Sequence, residues 1–231
     1  MAEDMERLEE KIGYAFKDKS LLATALTHSS YSSEKRADGA ACNERLEFLG
    51  DSVLGFTVAE YLYKRRPNMS EGQMTRVRAE LVCEKTLLTA ALEIGLGGHM
   101  ILGRGEELTG GRERPSILAD AMEALFAAVY LDGGSRAATR LIQRLIASRL
   151  DDAEKSSRDY KSELQEYAQG AGQTLIYKLV EESGPDHRKV FRVEAEIGGR
   201  GLAFGEGVTK KAAEKEAAKA AFEKLGSLIP G

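Results

Sequence analysis

The segment Asn43-Glu44-Arg45-Leu46-Glu47-Phe48-Leu49-Gly50-Asp51-Ser52-Val53-Leu54 constrains the fold more than any other in the chain. At about 100° per residue, a helix here brings Glu44, Glu47 and Asp51 to within about 60° of one another. Its other faces carry Leu46, Phe48, Leu49, Val53, Leu54 and Phe56, so it is apolar almost all round, the pattern of a buried helix. Carboxylates on a buried helix cost roughly several kcal/mol each unless a cation compensates them. A stripe of acids in that setting points to a bound metal ion.

A second segment repeats the pattern. Ser116 to Phe126 is apolar apart from its first residue and two acids, Asp120 and Glu123, which stand at i and i+3 on one helix face. Two helices presenting carboxylates supply hard oxygen ligands, which suit Mg²⁺ or Mn²⁺ better than zinc. The chain has three histidines, and no two stand at ligand spacing. Helical rise separates Glu47 from Asp51 by roughly 6 Å and Glu44 from Asp51 by roughly 10 Å. The inner metal set is therefore Glu47, Asp51, Asp120 and Glu123, with Glu44 more peripheral. The competing reading is a set of buried ion pairs with Arg45, Arg76 or Arg78. His28, in Leu26-Thr27-His28-Ser29-Ser30, reads as a hydrogen-bonded turn residue rather than a catalytic base. A carboxylate-only site suits metal-activated water attacking a phosphodiester. Residue chemistry alone stops at a divalent-metal phosphohydrolase.

The rest of the chain gives that chemistry a setting. Residues 5 to about 150 read as successive helices: Ser20–Leu26, Asn43 to about Lys64 with Asn43 as N-cap, Gly72 to about Ile94, Pro115–Leu131 and Ser135–Leu150. The glycine-rich passage 95–111 reads as a loop and matches neither a dinucleotide fingerprint nor a P-loop, so no nucleotide cofactor is expected. Asp151–Ser157 is polar and reads as a linker. Beyond it the pattern is α-β-β-β-α: a helix from about Asp159 to Gln169, strands at Leu175–Glu182, Lys189–Ile197 and about 201–207, and a last helix from after Thr209 to about Leu225. In the second strand Phe191, Val193, Ala195 and Ile197 alternate with Arg192, Glu194 and Glu196, a half-buried antiparallel pattern. The organisation is thus an all-α domain over 4–150, a linker over 151–157 and a small α+β domain over 158–227. No apolar run reaches the roughly 18 residues of a membrane span, the acidic N-terminus lacks a signal-peptide pattern, and two cysteines fit a reducing, cytoplasmic setting.

From Arg158 onward twelve Lys/Arg balance twelve Asp/Glu, so any polyanion signal lies in placement. Lys210 and Lys211 occupy the first turn of the last helix, where the helix dipole disfavours cations. That placement makes sense if the turn docks against phosphates, with Lys215 one turn further on; a solvated lysine-rich helix is the alternative. Gly184-Pro185-Asp186-His187 forms a protruding turn, Gly205-Glu206-Gly207 shapes the approach to the lysine helix, and Gln165 and Glu166 lie on the first helix. A-form RNA, with its wide minor groove flanked by phosphates, suits a helix, a loop and a lysine cluster acting together.

The stretch from Asn43 to Ser52 resembles the signature of the ribonuclease III endonuclease domain. Gly205 to Ala218, with the turn at Gly184–His187, resembles a double-stranded-RNA-binding domain. Thr209, where serine is usual, and Ala212-Ala213 depart mildly from that pattern. The resemblance implies a homodimer that cuts each strand of an RNA duplex, leaving 5′-phosphate and 3′-hydroxyl ends with a short 3′ overhang. It implies that Glu47, Asp51, Asp120 and Glu123 hold Mg²⁺, with Asp51 and Glu123 catalytic and Glu44 and Glu71 as supporting acids. It assigns RNA contacts to Gln165, His187, Lys210, Lys211 and Lys215, and it implies cytoplasmic processing of ribosomal RNA precursors and messengers. A non-catalytic duplex-RNA-binding protein and a phosphohydrolase acting on small molecules are the rival classes.

Overall fold

Capping signals set many of the helix boundaries in the computed structural model, which describes residues 2–35, 41–185 and 188–226. The chain divides into two units, Met1–Ser157 and Arg158–Gly231, each around its own core. Among the described residues the first unit is built from helices, with one isolated bridge between Thr27 and Ile101: α1 Ala2–Ile12, α2 Lys19–Leu26, α3 Ser29–Glu34, α4 Glu44–Arg65, α5 Glu71–Val82, α6 Glu84–Ile94, α7 Arg104–Leu108, α8 Pro115–Leu145 and α9 Leu150–Ser157. Asp18 accepts from Ser20 N to open α2, and Ser70 with Gln73 forms a capping box on α5. Asn43 precedes α4 but makes no side-chain cap; Glu44 and Glu47 in the first turn and Lys64 and Arg65 in the last complement its dipole instead. Helix α8 supplies the centre of the core, with Leu118, Met122, Leu125 and Phe126 fully buried.

Four details differ from the sequence expectations. The helix expected over Gly72–Ile94 is two helices, because Cys83 is extended (φ −74°, ψ 158°) and both Cys83 Sγ and Thr86 Oγ1 donate to Glu80 O, at 3.2 and 2.7 Å. The passage 95–111 is not a plain loop; it holds a 3₁₀ turn at Leu96–His99 and helix α7. Asp151–Ser157, read as a linker, forms α9 together with Leu150. Leu150 and Ala153 are buried in the first unit's core, and Arg66 pairs with Glu154 and Asp151. Finally, α4 is not buried all round. Leu46, Leu54, Val58 and Leu62 face the core, whereas Phe48, Phe56 and Tyr63 are 80%, 70% and 75% exposed. The expected break near residue 132 is present: Gly134 adopts φ 75°, ψ 178° inside α8, a conformation that glycine takes without strain.

The second unit is α10 Tyr160–Gly170, β1 Leu175–Ser183, β2 Val190–Ile197, β3 Arg200–Gly207 and α11 Lys210–Gly226. The strands form one antiparallel sheet in the order β1-β2-β3, with Leu179 opposite Val193 and Val193 opposite Gly205. Val193, Ala195 and Ile197 are buried with Leu164 and Ala168 of α10 and with the alanines Ala213, Ala217 and Ala221 of α11. The architecture is a helical domain followed by an α-β-β-β-α domain.

Candidate functional site

Helices α4 and α8 meet at Gly50. A Cβ built there would stand 1.9 Å from the carbonyl oxygen of Glu123, so only glycine permits the two backbones to touch. That contact falls within three residues of Glu47, Asp51 and Asp120 in sequence, and it places acids from both helices on neighbouring turns. The carboxylates act on one another. Glu123 is pushed up to about 7, first by burial and then by the charges of Asp51, Glu47 and Asp120. Burial likewise raises Glu47, with Asp120 and then Glu44 adding to the shift. Asp120 is raised by burial against the opposing pull of His28, with a further push from Glu84.

These acids are less enclosed than an apolar helix implies. Glu47, Asp120 and Glu123 are half-buried, while Glu44 and Asp51 are exposed. Among the described residues no three His, Cys, Asp or Glu side chains are gathered closely enough to hold an ion as they stand. Nor does any ion pair among the described residues join these acids to Arg45, Arg76 or Arg78. The donor set is nonetheless all hard oxygen, and it repels itself, which is the chemistry a divalent cation relieves. Glu44 begins α4 beside this group, and its charge reaches Glu47. Glu71 lies apart, at the start of α5, where it accepts from Thr75 Oγ1 at 2.9 Å. It lines a cavity of about 610 Å³ with Phe56, Tyr63, Met74 and Arg78.

The passage leading into α8 is held by its own polar contacts. Arg112 Nη1 donates to Gly97 O at 3.0 Å and to Met100 O at 2.8 Å, closing the passage before α8. The sequence reading did not single out Arg112, Gly50 or the outward aromatics of α4. A glycine between acids on a long helix was a usable signal for Gly50; nothing local marked Arg112.

In the second unit Thr209 caps α11, its Oγ1 accepting from Ala212 N at 3.1 Å. Lys210, Lys211 and Lys215 are all exposed on that helix. Lys210 Nζ lies 5.9 Å from the centre of the Phe191 ring. Gly205 lets β3 reach α11, since a Cβ there would fall 2.0 Å from Ala217 N. Gln165 is half-buried on α10. His187 lies outside the described residues; on either side of that gap, Arg188 N donates to Pro185 O at 2.7 Å.

Residues 18–150 match the family model described as Ribonuclease-III-like, and residues 160–225 match the one described as double-stranded RNA binding motif. Ribonuclease 3 of Caldanaerobacter subterraneus subsp. tengcongensis is 52% identical over 224 residues, covering 96% of this chain and 98% of that protein. Ribonuclease 3 of Geobacillus kaustophilus is 46% identical over 222 residues, 95% of this chain and 90% of that one. Among solved structures, the nuclease domain of ribonuclease III from Campylobacter jejuni is 42% identical with a TM-score of 0.58, covering 62% of this chain and 96% of that one. That structure was described for flexibility in a region involved in dimer formation.

Proposed function

The chain belongs to the ribonuclease III family, and from that premise we propose that it is an endoribonuclease cleaving both strands of duplex RNA by attack of water on phosphodiesters. The observation that carries the reading is the meeting of α4 and α8 at Gly50, which brings self-repelling carboxylates together in the same chain as a double-stranded RNA binding motif. Glu47, Asp51, Asp120 and Glu123 would hold Mg²⁺, with Mn²⁺ able to substitute. When bound, the ion supplies an activated water and charge to stabilise the developing phosphate oxygens. Glu123, pushed up to about 7 by burial and by the charges of Asp51, Glu47 and Asp120, is the carboxylate that a bound cation would relieve most, and with Asp51 it is the pair assigned the catalytic part. Glu44 acts as a supporting acid beside the site, and Glu71, which lies apart from it at the start of α5, is the second supporting acid of this reading.

On the RNA side, Lys210, Lys211 and Lys215 neutralise backbone phosphates, while Gln165 and His187 reach the groove. The products carry 5′-phosphate and 3′-hydroxyl ends with a short 3′ overhang. The protein works as a homodimer, a reading that the outward Phe48, Phe56 and Tyr63 support. Its substrates are ribosomal RNA precursors and structured messengers in the cytoplasm. Among the described residues no helix is long and apolar enough to cross a membrane. Incubating long duplex RNA with Mg²⁺, and separately with EDTA, tests the reading: short products in the first arm alone support it, and intact duplex in both overturns it.

A further inference from the structure

The chain carries a net charge of −4, yet two of its stretches hold cations and no acid: Lys11 to Lys17, and Gly133 to Arg149. The fold lays the first along the second. Lys17 N donates to Asp132 Oδ2 at 3.0 Å and Lys17 Nζ to Asp132 O at 3.4 Å, while at the other end Arg144 Nη2 donates to Lys11 O at 2.9 Å. Between those ties Arg136, Arg140 and Arg144 stand at i, i+4 and i+8 on the regular part of α8 beyond Gly134. That spacing sets them on one face, with a rise of roughly 6 Å from each to the next. Lys17 and all three arginines are exposed.

Among the described residues none of these four cations is in an ion pair, whereas Arg149 at the end of the run pairs with Glu93 at 2.8 Å. The carboxylate of Asp132 is already held by the Tyr14 hydroxyl and by the amides of Lys17 and Asp18. Like charges one turn apart on a helix repel, and Arg136 sits in the first turn after the break, where the helix dipole disfavours a cation. A row of guanidiniums that destabilises its own helix is relieved by a polyanion laid along it. Guanidinium is also the cation that pairs phosphate oxygens two at a time.

The stripe is not an extension of the acid site. Asp132, where it begins, is nine residues beyond Glu123 in α8, roughly 13 Å along the helix and half a turn round it. A duplex seated at the acids is too stiff to wrap round a single helix, whereas a single strand leaving that duplex bends freely. We propose that the face formed by Lys17, Arg136, Arg140 and Arg144 binds the phosphate backbone of single-stranded RNA that flanks the duplex. The inference rests on the duplex-RNA reading given above. Contacts of this kind hold the flank without regard to its sequence.

Fluorescence anisotropy of the full-length protein in Ca²⁺ tests the inference, on a blunt RNA duplex and on the same duplex carrying a single-stranded uridine tail. The native chain should bind the tailed RNA more tightly, with a steeper salt dependence. Arg136→Gln combined with Arg140→Gln should remove most of that advantage, flatten the slope for the tailed RNA by about 0.7 per lost phosphate contact, and leave blunt-duplex binding unchanged. A tail that adds nothing to native binding, or an advantage that the double variant keeps, overturns the inference. Equal weakening on both RNAs also overturns it, because the stripe then serves the duplex. Phosphatidylglycerol vesicles form a further arm: binding that the double variant loses, without any tail effect, assigns the stripe to a lipid surface instead. Should the double variant melt early, Arg140→Glu decides alone, a lost tail advantage supporting the role and a kept one refuting it. Failure of the underlying reading looks different, since neither RNA is then bound.

Discussion

Tyr14 donates its hydroxyl proton to Asp132 Oδ2 at 2.6 Å, joining the arm after α1 to the break in α8. Asp132 also accepts from Lys17 N and Asp18 N, at 3.0 and 2.9 Å. Burial pushes the Asp132 carboxyl up, but these hydrogen bonds outweigh it and hold the group below the usual carboxylate range. Tyr14 moves the other way, up to about 12, through burial and the adjoining carboxylate.

Tyr14→Phe removes the bond and leaves the ring packing. Urea unfolding at pH 7 is expected to show a loss of about 1–2 kcal/mol. A depressed carboxylate contributes stability above its unfolded pKa and loses it as pH falls through the folded value. The gap between variant and native chain should therefore narrow as pH falls below the ordinary aspartate range.

Glu123→Gln should abolish cleavage of duplex RNA while leaving duplex binding intact, measured by gel shift in Ca²⁺. The same variant carries a stability signature. The native Glu123 binds its proton more tightly folded than unfolded, so without metal its stabilising contribution is full below about pH 4.5 and is lost as pH rises through about 7. With water screening at a half-buried site taken into account, the variant should be the more stable by about 1–2 kcal/mol at pH 8, and equal at pH 4. Melting curves in EDTA across that range check the sign.

Gly50→Ala forces the α4 and α8 backbones apart, because the methyl meets a main-chain carbonyl rather than a flexible side chain. A loss of about 1–3 kcal/mol is expected in denaturant titrations. Cleavage should fall further than the lost folded fraction explains, and activity matching that fraction would refute the link between helix spacing and the site.

Lys210→Ala with Lys211→Ala should weaken RNA binding regardless of sequence. The slope of log affinity against log salt should flatten by about one unit per lost phosphate contact. An unchanged slope would remove these lysines from the interface.

Phe48→Glu places a charge on an already exposed position, so folding should survive, as judged by circular dichroism. Light scattering should then report the mass of one chain where the native protein gives two.

The acid pattern was legible because helical spacing alone puts Glu47 with Asp51 and Asp120 with Glu123. Burial was not. Helix α4 is apolar on two sides for different reasons, with Leu54 and Leu62 facing the core and Phe56 and Tyr63 facing outward, and periodicity assigns both to one interior. The bend at Cys83 escaped because it depends on two side chains competing for Glu80 O, a local bond that hydropathy does not register. Helix α9 escaped because its buried face is Leu150 and Ala153 alone among charges. The second unit was easier: alternation in β2 and the small-residue stripe of α11 each report one buried face and one wet one.

A main-chain contact such as that between Gly50 and Glu123 has no compliant layer to absorb change. Where leucines separate two helices, a rotamer shift or a swapped methyl alters their distance by fractions of an ångström, and anything mounted on them drifts. Here the mount is the peptide backbone itself, as stiff as any part of the molecule. Remodelling of the surrounding core, at Leu118 or Leu125 for instance, should therefore register first in melting temperature and only late in turnover. Robustness of the chemistry is built in at a position that carries no side chain.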